Sequence, residues 1–211
     1  GTDKNTVIIY TSDNGFFCGS HGYGSKVLPY EESSRVPLII YDPRHANSGK
    51  KLRTSALTGN IDFAPTILSL AGISSPENMD GKNLMTVYEN PKSSLHHSLA
   101  LINVWGKEPT HALGVVTEGM KYLYWGYAAK GFKPNNELYD LKTDPLELTN
   151  QFTSSDYTKA RKKMHKLYDE HLAHWKKNAV AYNNYQKFGT LFDRKLKWEE
   201  KLKRVKKFSS R

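Results

Sequence analysis

The hydrophobic rhythm of the chain changes twice. Val7-Ile8-Ile9-Tyr10 and Val36-Pro37-Leu38-Ile39-Ile40 are short apolar runs rich in β-branched residues. The first is broken by Ser12-Asp13-Asn14-Gly15 and the second ends at Asp42-Pro43, so both read as buried strands. A glycine-rich polar loop joins them, reaching to about Gly24. Asn60-Ile61-Asp62 has the form of a helix start, with Pro65 near the first turn, Phe63, Ile67, Leu68, Leu70 and Ala71 inward, and Gly72 as the stop. Strand, loop, strand and helix predict half of an α/β sheet. Beyond about residue 93 the pattern becomes short strands at 99–104, 112–117, 121–125 and 137–141, separated by Gly, Asn and Pro, which predicts a smaller antiparallel sheet. From Asp156 the spacing is helical: Ala160, Met164, Leu167, Tyr168, His171, Leu172 and Trp175 share one face, with Ser155 or Asp156 to cap its start. Residues 191–208 predict a further helix, with Leu202 and Val205 among lysines. The expected division is 1–92, 93–155 and 156–211.

Composition narrows the class. Of 211 residues 38% are hydrophobic and 12% aromatic, too much apolar material for a disordered chain. The apolar runs are strand-sized, well short of the roughly 18 residues of a membrane-spanning helix. A single cysteine, Cys18, excludes an internal disulfide and a cysteine zinc cage. The net charge of +10 is unevenly placed: residues 157–211 hold 17 Lys and Arg against 5 Asp and Glu, a net +12, leaving −2 for the rest. Basicity therefore belongs to the tail. The chain begins at Gly1 and enters a strand within a few residues, so it is expected to be a piece of something longer.

Asp13 and Asn14 place a carboxylate and a carboxamide side by side at a strand end, hard oxygen donors of the kind Ca²⁺ or Mg²⁺ prefers. Asp-Asn-Gly is also ordinary turn chemistry, and that alternative stays open. His21 and Lys26 follow within thirteen residues, in a loop whose glycines let backbone and side chains approach a small anion.

These residues carry a resemblance. Residues 5–15, then His21-Gly22, Lys26, Tyr30-Glu31-Glu32-Ser33 and Arg35-Val36-Pro37-Leu38-Ile39-Ile40, resemble the second half of the catalytic domain of a sulfatase of the alkaline phosphatase superfamily. The block 61–72 is similar to the family's helix, followed by Asp80-Gly81-Lys82-Asn83-Leu84. Glu137-Leu138-Tyr139-Asp140-Leu141, with Asp144-Pro145, Glu147 and Asn150, resembles its C-terminal subdomain. The fold implied is α/β: the second half of an alkaline-phosphatase-like sandwich, plus a C-terminal subdomain with a small antiparallel sheet and helices. The resemblance implies that Asp13 and Asn14 complete the coordination of a divalent cation, Ca²⁺ or alternatively Mg²⁺, and that Lys26 contacts the sulfate oxygens. It also implies that His21 meets the sulfate or the leaving oxygen. Tyr30, Glu31 and Arg35 are expected to hold loop and strand together, and Asp62 to start its helix. His111, Trp105 and Trp125 are guesses for pocket walls.

The family's nucleophile is a formylglycine made from a Cys/Ser-x-Pro-x-Arg motif, and no such motif occurs in these residues: Cys18 is followed by Gly-Ser-His-Gly. The expected partners are therefore an N-terminal half of the same enzyme, which brings the formylglycine, and a sulfated small molecule or glycan, with no specific nucleic acid. The chain alone is expected to be inactive. Export to the periplasm or outside the cell is implied by the family's habit only. Two alternatives remain: a phosphonate or phosphate ester hydrolase on the same fold, and a non-catalytic fragment whose basic tail binds a polyanion.

Overall fold

A computed structural model describes residues 1–208. The chain packs as two units that do not follow sequence order: Gly1–Gly15 with Arg35–Leu99, and Phe16–Ser34 with the chain from Ala100 onward.

In the first unit, β1 (Ile8–Thr11) and β2 (Leu38–Tyr41) form a two-stranded antiparallel sheet, with Ile8 opposite Tyr41 and Tyr10 opposite Ile39. One face is covered, Leu38 and Ile40 packing on Leu84, Val87 and Leu95. The other is not. Ile8, Tyr10, Ile39 and Tyr41 are 42–61% exposed, which corrects the expectation of two buried strands. An apolar run without alternation identifies a strand that can be buried on both faces, and here only one face has its cover.

The helix α2 (Phe63–Leu70) forms where the sequence expects it, entered through a single turn at Asn60–Asp62. Its inward face is less apolar than expected: Ile67 is exposed, whereas Thr66 is fully buried. The Thr66 hydroxyl donates to the Asp62 carbonyl and accepts the Leu84 N–H, so a polar residue satisfies two backbone groups in the interior. Asp62 is likewise a structural group. Its buried carboxylate accepts the N–H groups of Gly59 and Lys82, both at 2.8 Å, and faces His96 Nε2 at 2.8 Å. Gly81 lets this segment close up, because a Cβ there would lie 1.9 Å from the Ile61 carbonyl oxygen. The short α3 (Met85–Glu89) follows and supplies Val87 to the core.

The second unit is built on a four-stranded sheet in sequence order, β3 (Leu99–Asn103), β4 (Ala112–Val116), β5 (Met120–Trp125) and β6 (Asn135–Asp140). β5 pairs antiparallel with both β4 and β6. Period-two alternation divides its side chains cleanly. Tyr122 and Tyr124 of β5, with Leu113, Val115 and Leu138, pack on Met164, Tyr168 and Leu172 of α4 (Thr158–Asn178) and on Phe188 and Phe192. Phe188 opens the one-turn α5 (Phe188–Leu191). Leu123 of β5 and Tyr139 of β6 point the other way, onto Phe17 and Tyr30. The loop 16–34 is thus the cover of the sheet's second face, ending in α1 (Glu31–Ser34).

Two tail details differ from expectation. Helix α4 starts after Tyr157, not at a Ser155 or Asp156 cap. In α6 (Trp198–Val205) the buried residue is Lys201, while Leu202 is 44% exposed. The Lys201 ammonium donates to the Tyr124 hydroxyl and the Leu191 carbonyl, each at 2.8 Å, which lets a lysine take an interior place.

Two outcomes follow from this packing. Asp62→Ala leaves two backbone donors and His96 without their buried acceptor and is expected to lower stability by about 3 kcal/mol in urea unfolding; an unchanged midpoint would contradict the network. Burial lowers the Lys201 pKa from the usual 10.5 to about 8. Between those values the unfolded chain holds a proton that the folded chain has released, so stability rises with pH through that window. Relative to Lys201→Met, the native chain is expected to gain about 2 kcal/mol between pH 7.5 and 9.5; parallel pH curves would refute the assignment.

Candidate functional site

Strand β1 delivers Asp13 and Asn14 to its end, within the first unit. The Asp13 carboxylate is exposed and accepts the Asn14 N–H at 2.9 Å and the Ser12 hydroxyl at 3.3 Å. Asn60 clamps the turn by donating its amide to the Asp13 carbonyl at 2.8 Å. The Asn14 amide nitrogen donates to the Gly15 carbonyl at 2.7 Å, so the atom that Asn14 can offer to a cation is its oxygen. A carboxylate and an amide oxygen on one ordered turn fit a hard divalent ion.

His21 and Lys26 belong to the second unit, on the loop that covers the sheet. Phe17, 1% exposed, plugs the loop into the cluster of Tyr30, Leu123 and Tyr139, and its N–H closes the loop on the Ser25 carbonyl at 2.8 Å. Two non-glycine residues inside it, His21 (φ 55°) and Ser25 (φ 68°), adopt the left-handed conformation. Such residues persist where the surroundings over-determine the backbone. The His21 ring stacks on Tyr30 at 4.6 Å, and its Nε2 lies 3.5 Å from Glu32. Lys26 is exposed directly after Ser25. Tyr30 donates its hydroxyl to Glu137 at 2.9 Å; burial, then the Glu137 charge, pushes its pKa far up and keeps it neutral.

Behind this loop lies a group that sequence reasoning did not single out. His21, Glu32 and Glu147 bring ligand atoms within 4.8 Å of one another. Glu147 also belongs to an ion network. Glu147 has both oxygens engaged, one by Lys121 Nζ at 2.9 Å and the other by the Glu31 N–H at 2.6 Å. Burial raises the Glu147 pKa, and the Lys121 charge opposes that rise. Glu32 and Glu147 stand within motif blocks of the sequence, but Lys121 reads there only as the first residue of a strand. Of the guessed pocket walls, Trp125 packs beside Tyr30, His111 packs edge-on to Phe188, and Trp105 is 73% exposed.

Residues 19–188 match the family described as N-sulphoglucosamine sulphohydrolase, C-terminal. An N-acetylglucosamine-6-O-sulfatase of Bacteroides thetaiotaomicron is 34% identical over 184 residues, which cover 84% of this chain and 32% of that protein. An arylsulfatase of Clostridium perfringens is 32% identical over 158 residues, covering 74% and 31%. A structure solved in complex with its substrate D-glucosamine-2-N,6-O-disulfate aligns at TM-score 0.73 and 32% identity, covering 86% of this chain and 37% of that one. The phosphonate monoester hydrolase of Agrobacterium radiobacter aligns at TM-score 0.65 and 25% identity, covering 82% and 36%. The α/β architecture is accordingly that of the alkaline-phosphatase-like sulfatases. The chain spans about a third of the length of the curated relatives it matches. On these matches, with the motif blocks in family order, the chain belongs to the sulfatase family and corresponds to its C-terminal portion.

Proposed function

We infer that this chain is the C-terminal portion of a metal-dependent sulfatase that hydrolyses sulfate esters of a carbohydrate or aryl alcohol. The observation that carries the reading is the 34% identity, over 84% of the chain, to a protein named as an N-acetylglucosamine-6-O-sulfatase. Asp13 and Asn14 would hold the cation, Ca²⁺ or Mg²⁺, which when bound supplies positive charge at the sulfate group. Formylglycine would come from an N-terminal segment. The apolar face of Ile8, Tyr10, Ile39 and Tyr41 would suit a further segment packing on β1 and β2, since four large apolar side chains stand exposed side by side there.

Within this chain the work is electrostatic. Lys26 would set a fixed positive charge against the sulfate oxygens, where charge builds up as the ester bond breaks. His21, its ring stacked on Tyr30, would donate a proton to the leaving alcohol. The basic tail is better read as a structural element than as a polyanion site: Lys176, Arg194, Lys195 and Arg204 all have acidic partners and Lys201 is buried. A second reading, phosphonate or phosphate ester hydrolysis, is favoured by the likeness to the Agrobacterium enzyme, since tetrahedral oxyanions share one cradle. Sulfate and phosphate esters of a single alcohol, assayed in parallel, separate the two.

Two outcomes test the reading. The 211-residue chain is expected to show no turnover of an aryl sulfate, because it carries no Cys/Ser-x-Pro-x-Arg motif; hydrolysis by this chain alone would overturn the assignment of roles. In the complete enzyme, Lys26→Ala is expected to lower kcat by about a hundredfold or more with bound metal retained by elemental analysis. Loss of the metal as well would make Lys26 a support of the metal turn instead.

A further inference from the structure

Lys121 is 0% exposed, at the second position of β5, on the sheet face that the loop 16–34 covers. An ammonium has three donors and no acceptor, and here it is surrounded by oxygen atoms. Its Nζ lies 3.1 Å from the Pro29 carbonyl oxygen, 2.8 Å from Glu31 Oε1 and 2.9 Å from Glu147 Oε1. The Ser34 hydroxyl stands at 3.5 Å. Glu147 completes the ring by accepting the Glu31 N–H at 2.6 Å. Three of the four residues around the ammonium, Pro29, Glu31 and Ser34, therefore come from the segment that immediately follows His21 and Lys26. The aromatic plug of Phe17 holds the other end of that loop against the same face of β5.

We propose that Lys121 is a positioning residue: its buried ion network fastens the loop bearing His21 and Lys26 to β5, so that the small C-terminal sheet fixes where those two side chains are presented. The proposal builds on the functional reading of Lys26, but the anchoring itself is independent of it. A buried ammonium that loses its carboxylates, or carboxylates that lose their ammonium, cannot remain dry. The segment must then open to water, while the opposite face of the sheet, packed on α4, keeps its apolar contacts. The left-handed His21 and Ser25, which the anchored ends hold in place, would relax when one end is freed.

The chain's single cysteine, Cys18, is exposed within this loop and accepts a nitroxide label without competition. In the 211-residue chain, Lys121→Met is expected to add a fast-motion component to the electron paramagnetic resonance spectrum of the label. It is also expected to speed amide hydrogen exchange in residues 16–34 at least tenfold, with exchange in α4 unchanged. Where Lys121→Met does not fold, Glu31→Gln removes one ion pair and leaves Lys121 with Glu147; the same two signals are expected, smaller. A folded variant with label motion and exchange as in the native chain would overturn the proposal. So would equal loss of protection in 16–34 and α4, which would make Lys121 a general support of the unit. In the complete enzyme, Lys121→Met is expected to lower kcat, and to lower it no further when Lys26→Ala is already present; multiplicative losses would show that Lys121 does not act through Lys26. If Lys26→Ala leaves kcat unchanged while the label still loosens, the functional reading fails and the anchor stands.

Discussion

One buried ammonium organises the second unit. Lys121 sits in β5 where the alternation of the strand would ordinarily call for an apolar residue, followed by Tyr122 on the opposite face and Leu123 on its own. Taking a charge out of water costs several kcal/mol unless it is fully paired. Here Glu31 and Glu147, with the Pro29 carbonyl, supply that pairing from two segments far apart in sequence. The interaction is local in space and distant along the chain, so it holds a loop rather than a helix turn. The same pattern recurs with Lys201, whose ammonium is satisfied by Tyr124 on the sheet's other face. Lysine ammonium groups are thus buried on both sides of β5, each against acceptors from other segments.

The first unit follows a different logic. Its sheet has only two strands, a number that is marginal without further packing. Order comes instead from the Asp62 carboxylate, which gathers Gly59, Lys82 and His96 around the start of α2. The exposed Ile8, Tyr10, Ile39 and Tyr41 leave the other face of that sheet apolar and open. The turn carrying Asp13 and Asn14 belongs to that unit, whereas His21 and Lys26 belong to the second.

Much of the fold was legible in the sequence. The strands of the small sheet, the helix after Asn60 and the long amphipathic α4 all carry their own local signals, which are short-range and additive. What was not legible depends on partners distant in sequence. The exposed face of β1 and β2 could not be read from Val7-Ile8-Ile9-Tyr10, because a run that is apolar throughout says a strand can be buried, not that it is. Nothing local in the sequence marks Lys121 or Lys201 as buried, since burial of a lysine is decided by acceptors elsewhere in the chain. In α6 it is Lys201, with its acceptors on Tyr124 and Leu191, and not Leu202 that takes the interior place. For the candidate site, the four residues named from motif spacing were read without Glu32, Glu147 and Lys121, which support His21 and its loop through tertiary contacts only.

The proposed function requires the oxyanion to meet this chain at Lys26. A crystal structure of the complete enzyme with its cation and inorganic sulfate tests that directly. The expected result is Lys26 Nζ within hydrogen-bonding distance of a sulfate oxygen, with Asp13 and Asn14 oxygens on the cation. Lys26 turned to solvent, or a cation held instead by His21, Glu32 and Glu147, would contradict it.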